Sequence, residues 1–247
     1  MIAKARATRP DDRVLRASTS ASTVPGRVPR GARPGPTGAR RGSDHLRIAV
    51  EHPIHQRNPE GYHACKEVST VMDSDFHFGP ARSGEATAYG ARTPAASLTG
   101  IREWADFMLA RGVTRVCCLL DAGQLAGFPL DLETEYKKLF GATCVLMEAI
   151  ADHHLCSLQA LRGSILPFLR AADAAGDRVV IHCWGGNGRV GHVLAAWLVA
   201  ARGLSPTEAL EAVEATGRLP HEAVLAGNAR MDELIELLAG CERDRRS

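Results

Sequence analysis

The sequence predicts an α/β domain, a central and largely parallel sheet flanked by helices, behind a disordered N-terminal tail. Three observations carry this. Apolar runs of strand length, at 113–120 (VTRVCCLL), 143–150 (TCVLMEAI) and 179–181, alternate with segments whose apolar residues recur every three or four positions. Capping and terminating residues stand at the ends of those segments. No internal repeat is present, and strands that alternate with helices build parallel sheets because each crossover needs a helix's length of chain.

The first 43 residues are rich in Arg, Ala, Ser, Thr, Pro and Gly and poor in large apolar side chains, so they cannot bury enough surface to offset the entropy of ordering. Residues 44–70 form an extension with no sustained period, and the folded domain is expected over 71–247. Phe76-His77-Phe78-Gly79 alternates as a short strand would before a Gly-Pro turn. Ile101, Trp104, Ala105, Met108 and Leu109 mark a helix with Thr99 as N-cap and Gly112 as terminator. After the strand 113–120, a helix over Leu132 to Phe140 ends at Gly141. Beyond the strand 143–150, Ser157 caps a helix carrying Leu158, Leu161, Ile165, Phe168 and Leu169, which Pro167 is expected to bend and Gly176 to end. A strand at 179–181 precedes a helix from about 188 to 201. Ser205-Pro206-Thr207-Glu208 is a capping box for a helix over 209–215, and Met231, Leu234, Leu237 and Leu238 mark a last amphipathic helix.

The net charge of +2 hides an asymmetry: residues 1–43 carry +8 and the remainder −6, so the basic character belongs to the tail. The tail's Arg- and Ser-rich composition also fits an organellar transit peptide, but it has no apolar core of a secretory signal. A cytoplasmic location is expected, with an organelle as the alternative. No apolar run reaches the ~18 residues of a membrane span. Seven cysteines (Cys65, Cys117, Cys118, Cys144, Cys156, Cys183, Cys241) make an odd count without framework spacing, which points to a reducing compartment. With no CxxC pair, and with His153-His154-x-Cys156 unmatched elsewhere, no metal site is expected.

The chemistry concentrates in 182–191, HCWGGNGRVG, between the strand 179–181 and the helix that follows. Glycines at 185, 186, 188 and 191 permit close backbone approach, and a loop entering a helix N-terminus turns several N–H groups toward one point. The loop therefore suits an anion of phosphate size. Cys183 at its floor would sit in the field of those amides, the helix dipole and Arg189, which favours thiolate. Arg189 adds a planar fork for two phosphoryl oxygens. A buried structural thiol is the alternative for Cys183.

His182-Cys183-x-x-Gly186-x-x-Arg189 resembles the HC-x5-R phosphate loop of cysteine-dependent protein tyrosine and dual-specificity phosphatases. The resemblance runs in order over about residues 75–215 and is weak before 75. It implies a dual-specificity phosphatase-like fold and hydrolysis of phosphate monoesters through a phosphocysteine on Cys183, without metal or other cofactor. It further implies that amides of Trp184, Gly185, Gly186, Asn187, Gly188 and Arg189 bind phosphate oxygens and that His182 supports the cysteine. In that family a mobile loop supplies an aspartic acid, and Asp152, 31 residues before Cys183, takes that place at a strand end. A turn or cap is its alternative role, and His153, His154 and Glu148 are weaker candidates. Trp184 is expected either to line the pocket wall or to pack on the sheet. Cys118 and Cys156 are buried thiols or, on oxidation, disulfide partners of Cys183.

Expected partners are phosphorylated proteins or small phosphate monoesters, with no nucleic acid or membrane, and a monomer. The loop holds no lysine, which tilts the expectation away from phosphoinositide and RNA 5′-phosphate substrates. One departure stands out: Val190 occupies the place where the family usually has Ser or Thr. That favours a second reading, a phosphate-binding pseudophosphatase. A rhodanese-type sulfurtransferase, which also sets a cysteine in an anion-binding loop, is a third.

Overall fold

A computed structural model describes residues 75–242. The tail 1–43 and the extension 44–70 lie outside the described residues. Strands β1 (Gly79–Pro80), β2 (Ala88–Arg92), β3 (Val113–Cys118), β4 (Val145–Met147) and β5 (Arg178–Cys183) form one sheet in the order β1-β2-β5-β3-β4. All neighbours are parallel except β1 and β2. β5 is therefore central, hydrogen-bonded on both sides, and its residues after Arg178 are all buried.

The period of two along β5 decides which face each side chain joins. Val180 enters the core made by Ile101, Trp104, Ala105 and Met108 of α1 (Leu98–Ala110) and Leu132 and Tyr136 of α3 (Leu132–Phe140). Val179, Ile181 and Cys183 enter the opposite core. That core receives Leu166, Leu169 and Ala172 of α5 (Leu166–Ala175), Leu234 and Leu238 of α9 (Met231–Glu242), and most of α6 (Gly188–Trp197), which is buried along its whole length. Each such Leu or Val withdrawn from water contributes roughly 1.5–3 kcal/mol. The strand end that carries Cys183 is thereby clamped between two helical layers.

Several elements differ from expectation, each for a local reason. The 143–150 run is a strand only at β4. Ala142–Cys144 forms a single 3-10 turn, and beyond β4 the backbone keeps bonding to β3's end through Glu148 N to Cys118 O (2.9 Å) and Ile150 N to Leu119 O (3.3 Å). The segment Phe76–Gly79 is extended only at its end: Asp75–His77 forms a turn, with Phe76 at φ 59° and His77 at φ 54°, and Gly79–Pro80, expected as a turn, is strand β1. Aromatic packing holds it, with Phe76 5.1 Å from Phe107 and Phe78 stacked 5.2 Å from Tyr89. Ser97, not Thr99, caps α1, its Oγ accepting from Gly100 N at 3.0 Å.

The long helix opened by Ser157 runs as α4 (Leu158–Ala160), a wide π turn over Leu161–Ile165, and α5. The wide turn lies directly before Pro167, whose ring would crowd the carbonyl four residues back in a regular helix. Gly176 ends α5 at φ 72°. A second π turn, Leu198–Arg202, extends α6. The capping box at Ser205 is formed by both of its bonds and opens α7 (Pro206–Glu214). Short helices α2 (Ala122–Leu125) and α8 (Glu222–Leu225), and strand β2, were not legible in the sequence. Among the described residues no helix is long and apolar enough to cross a membrane.

Candidate active site

Cys183 ends β5, is 3% exposed, and its Sγ accepts from Gly186 N at 3.3 Å. Between them the loop turns back on β2. Gly186 has φ 76°, and a Cβ there would stand 2.7 Å from the backbone of Ala91 and Arg92, so only glycine fits.

The loop's carbonyls are tied back on its outer side. Trp184 O accepts from Thr93 N (3.2 Å), Gly185 O from His77 Nδ1 (3.2 Å) and Gly186 O from Arg218 Nη1 (2.6 Å). A peptide is planar and trans, so each outward carbonyl turns the following N–H the other way. Residues 185, 186 and 187 thus present their amides on the Cys183 side. The Gly188 amide, also expected to face phosphate, is engaged instead by Glu222 Oε2 at 3.1 Å.

His182 points to the opposite face of the sheet, into the aromatic core. Its Nε2 is 3.0 Å from Tyr136 Oη, and its ring lies 5.2 Å from Trp104. Burial lowers its pKa to about 3, so it is neutral, and burial raises the Tyr136 hydroxyl, which stays protonated. The two rings share this one hydrogen bond, and His182 Nδ1 is buried without a hydrogen-bond partner.

Arg189, 2% exposed, begins α6. Its Nη1 donates to Gln124 Oε1 (2.7 Å), Ile150 O (3.1 Å) and Leu119 O (3.4 Å). Its Nη2 pairs with Asp152 Oδ1 at 2.8 Å. Gln124 Nε2 reaches the other oxygen, Asp152 Oδ2, at 3.4 Å. Sequence reasoning missed Gln124; the signal was Asp121, which caps α2 by accepting from Gln124 N at 2.9 Å and so aims that short helix at the site.

The segment bearing Asp152 is pinned to the phosphate loop's helix. Cys156 N donates to His192 Nε2 (3.0 Å), and His192 Nδ1 donates to Gly188 O (3.0 Å). Burial lowers the His192 pKa to about 4, which keeps it neutral in this bridging role. Asn228 Nδ2 holds His153 O at 3.0 Å. His153 itself, at φ 56°, faces Glu222 across 3.9 Å.

Trp184 is 49% exposed and, with Asp121, Gly123, Gln124, Gly127 and Asp152, lines a shallow cavity beside the loop. It is a wall residue and does not pack on the sheet. Val190 is fully buried, its Cγ1 lying where a Cβ on Gly90 would come within 2.5 Å. Cys118 and Cys156 are free thiols whose pKa burial pushes up to about 12, and Glu148 is half-buried beyond β4.

A family model described as "Swiss Army Knife protein, DSP-PTPase phosphatase domain" matches residues 99–239. Among solved structures, Tk-PTP in its active form is 30% identical, aligned over 64% of this chain and 93% of that one with a TM-score of 0.49. PTPMT1 in complex with PI(5)P is 18% identical over 68% of this chain and 94% of that one, TM-score 0.51, which speaks for the fold. The human tyrosine phosphatase-like serine/threonine/tyrosine-interacting protein is 14% identical over 65% and 93% of the two chains, TM-score 0.47. No protein of curated function matches. The match over most of the described domain, on a loop whose cysteine, arginine and inward amides converge, places the chain in the cysteine-dependent dual-specificity/tyrosine phosphatase family, with a DSP-PTPase phosphatase domain.

Proposed function

We propose that this phosphatase domain hydrolyses phosphate monoesters, aryl or protein phosphates foremost, through a phosphocysteine on Cys183. The observation that carries the reading is the convergence of a thiol, a run of inward amides and a buried guanidinium paired to an aspartate at 2.8 Å. Phosphoryl oxygens bind the amides and take Arg189 Nη2 from Asp152. Asp152, freed from Arg189, takes up a proton from solvent; the Cys183 thiolate then attacks phosphorus, the S–P bond forming as the ester P–O bond breaks, and Asp152 gives that proton to the departing oxygen. In the second step Asp152 takes a proton from water, whose oxygen attacks phosphorus, and the S–P bond breaks to return thiolate and inorganic phosphate.

The surroundings bear on substrate class. Trp184 offers an aromatic wall, while Asp121 and Asp152 make the adjoining cavity acidic. That supports a planar aryl ester over a polyanion such as the PI(5)P found in the PTPMT1 structure. The pseudophosphatase reading is favoured by one feature, Val190, which supplies no hydroxyl beside the loop.

Purified protein assayed with an aryl phosphate, and separately with thiosulfate and cyanide, tests the proposal. Phosphate release that disappears in Cys183→Ser while vanadate binding persists is the expected result. Without the sulfur, vanadate binds as a four-coordinate phosphate analogue held by the amides and Arg189; the five-coordinate adduct of wild type needs Cys183 Sγ as its fifth ligand. Full activity in Cys183→Ser removes the nucleophile assignment, and thiocyanate formation in place of phosphate release establishes a sulfurtransferase.

A further inference from the structure

Arg218 lies between α7 and α8, outside the phosphate loop, and is 3% exposed. Every hydrogen bond it makes goes to a backbone carbonyl: Nη1 to Gly186 O (2.6 Å), and Nη2 to Gly90 O (2.8 Å), His77 O (3.2 Å) and Gly79 O (3.2 Å). Its Nε has no partner, and among the described residues no carboxylate stands within ion-pair distance of it. Elsewhere the same fold pairs a partly exposed guanidinium in the ordinary way: Arg202 holds Glu85 and Asp173 at 2.9 and 2.7 Å. A buried cation without a counter-ion is unfavourable unless something else compensates it.

Four backbone carbonyls share its charge. The chain has made room for this guanidinium, since a Cβ on Gly90 would stand 2.7 Å from Arg218 Cζ. Burial lowers the arginine to about 10, which leaves it cationic at neutral pH. Arg218 also fixes two of the three outward carbonyls of the loop. It binds Gly186 O directly, and by binding His77 O it seats the residue whose ring holds Gly185 O.

We propose that Arg218 is a positioning residue for the phosphate loop, which locks the Gly186 carbonyl outward so that the Asn187 amide faces the anion. This rests on Cys183 being the reactive thiol.

The test is site-resolved alkylation of Cys183 by iodoacetamide, followed by peptide mass spectrometry, which requires no turnover. Wild type, Arg218→Met, Arg218→Lys and, as a distant control, Arg202→Lys are compared with and without inorganic phosphate. In Arg218→Met and Arg218→Lys, neither of which can gather the carbonyls, Cys183 should still react but the phosphate concentration that gives half protection should rise about 10-fold, the scale of one lost hydrogen bond to a charged group. Arg202→Lys should be protected as wild type is. Undiminished protection in a folded Arg218 variant overturns the proposal. Should neither variant fold, the Asn187 N–H resonance of labelled wild-type protein decides: it should shift when phosphate is added, and no shift contradicts the proposal. An unreactive Cys183 in wild type instead removes the nucleophile reading on which all of this stands.

Discussion

Asp152 and Arg189 form an ion pair, Oδ1 to Nη2 at 2.8 Å, in which the arginine side chain is 2% exposed and the aspartate 44%. The cation is fixed by three further acceptors on Nη1, whereas Asp152 is held by the arginine, by Gln124 and by its own turn. On the proposed reading, a phosphoryl group entering the loop competes with Asp152 for this guanidinium and displaces the carboxyl toward the ester oxygen.

This competition separates two effects of Asp152→Asn. Loss of the proton donor should slow hydrolysis of esters with poor leaving groups by roughly 100-fold or more, and of activated esters much less. Loss of the competing carboxylate should tighten vanadate inhibition, because Arg189 is then free for the anion. A leaving-group series and a vanadate Ki on both proteins check this. Equal slowing across the series argues against Asp152 as donor, and weaker vanadate binding argues against the competition.

Stability should depend on pH through His182 and His192. Burial holds their folded pKa near 3 and 4, below the ordinary 6.5, so the unfolded chain binds more protons in between. Their contribution is complete above pH 6.5 and is lost as the pH falls, at about 1 kcal/mol per pH unit for each. Urea unfolding at pH 7.5, 5.5 and 4.5 should show this decline, and His192→Gln should be less stable at pH 7.5 yet lose less on acidification. A stability that is flat from pH 7.5 to 4.5 would mean that neither histidine is buried as described.

Val190 sets the expected rate of the second step. Its Cγ1 packs over Gly90, so threonine can keep that methyl in place and set its hydroxyl where the other methyl was. A hydroxyl donating to the departing thiolate is a charge-assisted bond worth ~1.5–3 kcal/mol, on the order of 10- to 100-fold in rate. Wild type should give a burst of aryl alcohol followed by a slow steady state, and Val190→Thr should raise the steady state and shrink the burst. Stopped-flow traces without a burst in wild type, and without a gain in Val190→Thr, would sink this account of Val190.

How much of this was legible in the sequence follows from where each element's information sits. The capping box at Ser205, the end of α5 at Gly176 and the loop with its flanking strand and helix are local patterns, and all are found. β2 was missed because Ala88–Arg92 is small and contains Gly90, a residue that weakens any strand reading. That glycine is required by Val190 and Arg218, both distant in sequence. Glu222 and Arg218 were missed for the same reason: their roles arise from tertiary proximity to the loop, and nothing in their own neighbourhoods reports it, whereas Gln124 had the Asp121 cap as its local signal. Asp152 was singled out by the resemblance to the phosphatase family, and its pairing with Arg189 is visible only in three dimensions.

The central claim is that Cys183 carries the phosphoryl group between the two steps, and rapid acid quench with peptide mass spectrometry during aryl phosphate turnover tests it most directly. The account predicts that the peptide containing Cys183 gains the mass of one phosphoryl group on sulfur, in a fraction that rises in the burst phase and falls in Val190→Thr. Turnover with the phosphoryl group on another residue, or with none on Cys183 in either protein under burst conditions, would contradict it.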